Sequence, residues 1–306
     1  MKKLSILLLI LMAVGLSMLP IEAFSAKAEV RLPTMKSQSI EVLVDARKVK
    51  FPDQKPMLEN NQVLVPIRFV SDKLGGKLDL AGDEITIVKG DRTVKLVIGA
   101  KTASVNGKTI TLGLEAKAVN GRTYVPLRFI SEALGEKVEW DKLTKFVWIG
   151  SKDIPELKDI LEPTDIKPYE KYFEGQKFLM DSCYEGCKPA TKVYLVSYDD
   201  FPFSFNGKSY YRLDLAQNEG RTLVRATTTD KAQMASSFVF LNPKGKVRYA
   251  PAGHYEGENN GNFRFHYYLV SNPLDPATKN FTVDQADYIL IMADYPGLIL
   301  VQNPFK

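Results

Sequence analysis

Histidine and cysteine are nearly absent, two of each in 306 residues. That scarcity excludes a multi-cysteine zinc module and a three-histidine catalytic zinc site, which need more such ligands than the chain owns. A strong charge of one sign is also missing. Lys and Arg number 41 against 36 Asp and Glu, a formal charge of +5 spread along the chain. No basic cluster is dense enough to follow a phosphate backbone, so nucleic acid is not an expected partner. There is no serine nucleophile elbow, glycine-rich phosphate loop or His-Glu-x-x-His helix. Beyond residue 28 no run approaches the roughly 18 apolar residues of a membrane-crossing helix. What is present is ordinary globular content, 45% hydrophobic and 25% charged, on a length that suits two domains.

Residues 1–28 read as a secretory signal peptide. Lys2 and Lys3 form the positive start, Leu4 to Leu19 is apolar apart from Ser5, Gly15 and Ser17, and Pro20 ends the run. Small residues at Ala23/Ser25 and Ala26/Ala28 offer cleavage after Ser25 or after Ala28. An uncleaved anchor competes with this reading, but the short positive start and the nearby cleavage sites favour removal. The expected location is secreted or extracellular, in association with the cell wall, with no membrane span after cleavage. Residues 29–40 then form an N-terminal linker. In an oxidising compartment Cys183 and Cys187, which bracket Tyr184-Glu185-Gly186, are expected to form a structural disulfide. The C-x3-C spacing and the lack of a surrounding βαβ pattern argue against a redox-active dithiol.

Two stretches match at an offset of 60: Val65-Pro66-Ile67-Arg68-Phe69-Val70-Ser71-Asp72-Lys73-Leu74-Gly75 and Val125-Pro126-Leu127-Arg128-Phe129-Ile130-Ser131-Glu132-Ala133-Leu134-Gly135. In each, Pro suits the start of a short helix, Gly suits the left-handed residue that ends it, and the apolar residues between recur at helical spacing. The period then changes to that of strands over Glu84 to Val88 and Lys145 to Ile149, with a hairpin from Thr93 to Leu112 turning at Asn106-Gly107. Residues 41–150 are thus expected to be a repeat-built module of antiparallel strands with two short helices.

These paired V-P-[IL]-R-F-[VI]-S-x-x-L-G segments resemble the copper amine oxidase N-terminal (stalk) domain family. Ser104-Val105-Asn106-Gly107-Lys108 and the closing Gly135-Glu136-Lys137-Val138-Glu139-Trp140-Asp141 carry the same likeness. The first copy departs from the pattern, with Leu80-Ala81 where the second has Trp140-Asp141. The resemblance implies a stalk fold of the kind used in exported bacterial surface proteins. It also implies no copper and no quinone, because the stalk of an amine oxidase supplies no ligand to either. The three-histidine catalytic domain of those enzymes has no room here, so no amine oxidase activity and no cofactor are expected. Arg68 and Arg128 belong to the fold-defining segments and are expected to pair with carboxylates such as Asp79 or Glu139, rather than to face a ligand.

Residues 151–169 carry Pro155, Pro163 and Pro168 and read as a semi-rigid linker with one short helix over Ile154 to Leu161. Beyond it lie most of the 14 Tyr and 16 Phe. Alternating runs at Lys192 to Val196, Phe201 to Phe205, Tyr210 to Leu215, Thr222 to Ala226, Ser237 to Leu241 and Phe263 to Val270 make residues 170–306 a mostly antiparallel β domain. Asp284 to Asp294 fits either a capped helix or a buried strand. The overall class is therefore α+β. The many aromatics of the second half supply material for a sugar-stacking platform, but good strand formers and core fillers explain them as well.

Both histidines fall in one expected hairpin. Folding about Asn260 sets His254 opposite His266 and Glu256 opposite Arg264, with Glu256 on the face of His254. His254, His266 and Glu256 are therefore the candidate metal ligands, and a one-residue slip would separate the rings. Asp199 and Asp200, adjacent on an extended chain, point opposite ways and do not make a glycosidase pair. The reading that fits best is a non-catalytic exported protein whose β-rich half engages a cell-wall polymer, glycan or protein. A secreted hydrolase centred on the histidine hairpin and a purely structural envelope spacer are the alternatives.

Overall fold

The computed structural model describes residues 33–181, 188–229, 236–242, 247–250, 252–256, 263–272, 274–276, 278–292 and 298–306. The expected signal peptide and the Cys183–Cys187 bridge lie outside the described residues. Among the described residues no helix is long and apolar enough to cross a membrane.

Residues 41–150 begin from two matching helices, α1 (Ile67–Lys73) and α2 (Leu127–Ala133). Pro66 and Pro126 cap them in nearly identical extended conformations, φ −60° and −62° with ψ 113° in both. Each helix ends in a Schellman turn. Gly75 and Gly135 take φ of 73° and 93°, and the next N–H, of Gly76 or Glu136, reaches back to Ser71 or Ser131. A Cβ-bearing residue is strained there, which is why glycine follows Leu74 and Leu134. The strands leading into the helices, Gln62–Pro66 and Arg122–Pro126, pair antiparallel with Val65 opposite Val125. The expected helices and most strands stand where the spacing placed them. The five-stranded meander from Lys77 to Thr111 is antiparallel throughout. One pairing departs from that pattern: Phe146–Ile149 runs parallel to Glu41–Val44.

The second half is a sandwich of two six-stranded sheets. The first contains Phe203–Phe205, Lys208–Asn218, Arg221–Thr229, Arg264–Leu269 and Ala252–Glu256, and takes Thr34–Met35 as an edge strand. The second contains Thr164–Asp165, Lys192–Val196, Leu298–Gln302, Tyr288–Met292, Ser237–Leu241 and Val247–Ala250. Between them lie Phe203, Tyr210, Leu213, Val224, Ala226 and Tyr268 against Phe238, Phe240, Ile289, Ile291, Ile299 and Val301. Phe238 and Tyr268 stack with centroids 3.9 Å apart. The opposite face of the second sheet is covered too, with Val239, Leu290 and Leu300 under Ile166, Tyr172, Phe173 and Leu179. Cover on both faces explains the unbroken apolar run Tyr288–Met292, which is a strand and not a helix. The same reason hid Leu298–Gln302 from pattern reading, since a short continuous run carries no period.

The segment 151–169 is not a bare connector. The short helix Leu157–Ile160 buries Leu157 in the sandwich core, and Ile166 is buried beneath the second sheet. The helix starts later than expected, leaving Pro155 outside it with its carbonyl accepting from the Ser204 N–H.

A bulge between Tyr210 and Arg212 reverses the alternation of the long strand Lys208–Asn218. Tyr210 and Leu213 point into the sandwich, while Tyr211, Arg212 and Asp214 face the helix-bearing module. Tyr211 packs with Phe146, Trp148 and Leu43 of that module. Arg212, 1% exposed, donates Nε and Nη2 to the Asp214 carboxylate and Nη1 to the carbonyls of Ser39 and Thr144. Asp214 also accepts from Arg225 Nη2 at 2.9 Å. Lys48 enters the same junction, donating to the Tyr198 carbonyl with its ammonium 3.4 Å from the Tyr198 ring centroid.

Asp214 is the only carboxylate hydrogen-bonded to the two buried guanidiniums among the described residues. Replacing it by alanine leaves both charges buried and uncompensated, and a loss of about 3–5 kcal/mol in urea unfolding is expected. Lys48 yields a pH signature. Burial, opposed mainly by Glu41, pushes its ammonium down from 10.5 to about 8. Between those values the unfolded chain binds more protons than the folded one, so stability rises with pH across that window and the penalty is full below about pH 8. Relative to Lys48→Met, the wild type should gain on the order of 3 kcal/mol from pH 8 to 10.5. A difference that stays flat over that range would exclude Lys48 as the titrating group.

Candidate functional site

Helix α2 presents Arg128, Phe129 and Glu132 beside the edge strand Val138–Asp141. That strand pairs only with Phe146–Ile149, with Trp140 opposite Val147. Phe129, Val138, Trp140 and Val147 give an apolar floor to a cleft of about 530 Å³, with Arg128 and Glu132 at its side and Asn61 and Gln62 closing it. Trp140 also lines a second concavity, about 650 Å³ and more open, bordered by Lys142, Lys145, Lys152 and the edge of Trp148. The half-buried Trp140 is thus a ridge between two hollows, whereas Trp148 is only 4% exposed.

Acids near the ridge are mostly occupied. Glu139 takes Lys137 at 2.7 Å and also Lys152, and these two ammoniums hold its carboxyl down to about 2. Asp141 Oδ1 accepts the Leu143 and Thr144 N–H groups, closing the turn that follows the strand. Lys145 stands in the left-handed region at φ 57°, and its ammonium is 5.9 Å from the Trp140 ring. Arg128, Lys142 and Lys145 make no ion pair among the described residues, and Glu132 makes none either.

The matching surface 60 residues earlier is built differently. Leu80 stands at the Trp140 position, opposite Ile85 as Trp140 is opposite Val147, and the two-residue turn Gly82-Asp83 takes the place of the four-residue turn that carries Lys142 and Lys145. Phe69, counterpart of Phe129, is covered edge-on by Phe51 at 5.9 Å and by the Arg122 guanidinium at 5.9 Å. Arg122 is itself held by Asp53, and the Tyr124 hydroxyl donates to the Lys55 carbonyl, so the loop carrying Phe51 is pinned over α1. Arg68 and Arg128 are both exposed. The expected pairing of Arg128 with Glu139 is not made, because Lys137 and Lys152 reach that carboxylate first; Arg68 makes no ion pair with Asp79 either.

The histidine hairpin forms in another register. Ala252 lies opposite Tyr268 as symmetric folding requires, but an irregularity of the 252–256 strand then sets Glu256 opposite His266. His254 falls inside the irregular stretch, so the expected His254–His266 and Glu256–Arg264 pairs are not made. Nearby, the Tyr210 hydroxyl and Ser236 Oγ share a hydrogen bond of 2.7 Å, and the Tyr268 hydroxyl donates to the Ser236 carbonyl at 2.6 Å. These bonds tie one sheet to the other across the sandwich. Asp199 and Asp200 likewise serve local structure. Asp200 accepts from the Ser197 N–H and hydroxyl in a capping box, and Asp199 pairs with Lys50 at 3.0 Å.

A further concavity of about 540 Å³ opens at the junction of the two halves, beside Lys48, Tyr198 and Arg212. Its inner charges already satisfy one another, as described above. Many aromatics of the second half are core, Phe201, Phe203, Phe238, Phe240 and Tyr268 each being at most 1% exposed, while Phe178 is 61% exposed. The half-buried indole of Trp140, which the sequence showed only as a difference between the two matching stretches, is on the helix-bearing module.

Residues 43–149 match the family model described as the copper amine oxidase N-terminal domain. This is about a third of the chain, and it identifies that segment as a domain of the non-catalytic stalk type. No curated protein matches the chain. Among the described residues no three His, Cys, Asp or Glu side chains are grouped to hold a metal ion.

The chain has two tryptophans, so their unequal exposure is directly measurable. Acrylamide should quench one component of the indole fluorescence and spare the other. Trp140→Phe should remove the quenchable part and leave the protected emission of Trp148.

Proposed function

We propose that this chain is an exported, non-catalytic envelope protein that engages a cell-wall polymer, glycan or protein, and that the engaging surface is the Trp140 ridge. The observation that carries the reading is the meeting of two hollows at one half-buried indole, flanked by Arg128, Lys142 and Lys145, which make no ion pair among the described residues. A cleft with an apolar floor and a few polar groups at its rim is the common form of a binding site. The export half of the proposal is supported by the charged start and apolar run of residues 1–28. The β sandwich then acts as the support. It buries Phe201, Phe203, Phe238, Phe240 and Tyr268 and grips the stalk-type domain through Tyr211 and Arg212.

Sedimentation with purified cell wall tests this. The mature protein should pellet with the wall, and Trp140→Ala and Arg128→Ala should remain largely in the supernatant, the exposed Arg128→Ala with an unchanged melting temperature. Equal pelleting of all three would move the binding surface elsewhere. Failure of the wild type to pellet would favour a structural spacer with no wall ligand.

A further inference from the structure

We propose that the ligand of the Trp140 ridge is an acidic polysaccharide, one sugar ring lying against the indole and negative groups on neighbouring units meeting Arg128 on one side and Lys142 and Lys145 on the other. This rests on the ridge being the engaging surface and adds the chemical class of what it engages.

The shape of the site argues first. Trp140 lines both hollows, so an occupant that uses the whole surface must cross the indole and be longer than one ring. Small ligands fill single enclosed pockets, and the larger hollow here is open. The lining argues second. An apolar ring with hydrogen-bond donors on either side fits a sugar, whose C–H face is apolar and whose rim is polar. Charge argues third. The acids of the surface, Glu139 and Asp141, are consumed by Lys137, Lys152 and backbone N–H groups. Three cations, Arg128, Lys142 and Lys145, are left facing one unpaired acid, Glu132. Two of the cations lie beyond the ridge from the third, which suits charges repeated along a chain better than one anionic group. The first copy supplies an internal contrast. It keeps the arginine and phenylalanine, as Arg68 and Phe69, but has Leu80 at the place of the ring and a two-residue turn, Gly82-Asp83, at the place of the loop with the two amines, and Phe51 and Arg122 lie against its phenylalanine.

The test is titration of the mature protein, followed by indole fluorescence, with four probes: polygalacturonate, poly(glycerol phosphate), dextran and poly-glutamate. Polygalacturonate carries carboxylates on sugar rings, and poly(glycerol phosphate) carries phosphates on a polyol. Tighter binding of polygalacturonate supports the proposal, and poly(glycerol phosphate), which has no sugar ring, binding as tightly would overturn the stacked ring. Dextran and poly-glutamate should bind at least about tenfold more weakly, because each lacks one of the two required features. Trp140→Ala should weaken the acidic polymer about tenfold. Lys142→Ala with Lys145→Ala should flatten the salt dependence, and Glu132→Gln should tighten binding about twofold. Lys142, Lys145 and Glu132 are surface positions, so these variants fold even if loss of Trp140 disturbs the edge strand. Dextran binding as tightly as polygalacturonate would overturn the acidic class, and poly-glutamate doing so would overturn the sugar. Wall sedimentation that still depends on Trp140, with neither acidic polymer bound, would leave the engaging surface standing and remove its assigned ligand.

Discussion

The arrangement of this molecule depends on one buried carboxylate. Asp214 holds Arg212 in a bidentate grip and shares its second oxygen with Arg225, and all three lie within 5% of full burial. A guanidinium taken out of water costs several kcal/mol unless its donors are matched. Arg212 meets that demand partly with Asp214 and partly with the carbonyls of Ser39 and Thr144, which belong to the other half of the chain. The desolvation cost therefore becomes a geometric constraint. The sandwich face and the stalk-type domain must meet in the one orientation that satisfies Nη1, and the Phe146–Trp148–Tyr211 cluster packs beside it. Because the guanidinium also lies over the Phe146 ring at 5.3 Å, its apolar and polar needs are met by the same neighbours.

That junction reaches the candidate site through the strand Phe146–Ile149. Phe146 and Trp148 face the sandwich, while Val147 faces the other way into the cleft of Arg128 and Trp140. Alternation along four residues thus couples the anchored face to the exposed one. Thr144, whose carbonyl receives Arg212, also closes the Asp141 turn with its N–H. The loop bearing Lys142 and Lys145 is therefore held at both ends, so the cations flanking the indole are displayed on fixed backbone. Preorganised donors of this kind lose less entropy when a ligand docks than donors on a free loop.

How far the sequence alone reached can be judged residue by residue. Gly75 and Gly135 marked the helix ends because only a left-handed residue completes a Schellman turn, and Pro66 and Pro126 marked the starts. Strands with one exposed face announced themselves by alternation. Three things were not legible. Leu298–Gln302 is buried on both sides and shows no period. The bulge after Tyr210 adds one residue, leaves no mark in composition, and yet decides that Arg212 faces the junction and not the sandwich core. The irregularity before Glu256 did the same to the histidine hairpin, changing which residue stands opposite His266. Trp140 was visible from the start, but only as a departure from the first copy. Its meaning needed the neighbouring hollows.

Why one matching surface and not the other remains open follows from residues outside the matching segments. The pairing of Gln62–Pro66 with Arg122–Pro126 relates α1 and α2 so closely that each should offer the same groove beside its phenylalanine. On the α1 side the groove is filled from within the chain. Phe51 lies edge-on against Phe69, and Arg122 and Tyr124 fasten the loop that brings it there. On the α2 side the position matching Arg122 is Gln62, which lines the cleft instead of anchoring a cover. The α1 side has neither the indole nor the two amines, with Leu80 at the Trp140 position and the two-residue turn Gly82-Asp83 in place of the loop bearing Lys142 and Lys145. The α2 side carries both, so the two grooves differ in what lies over them as well as in the residues they contain.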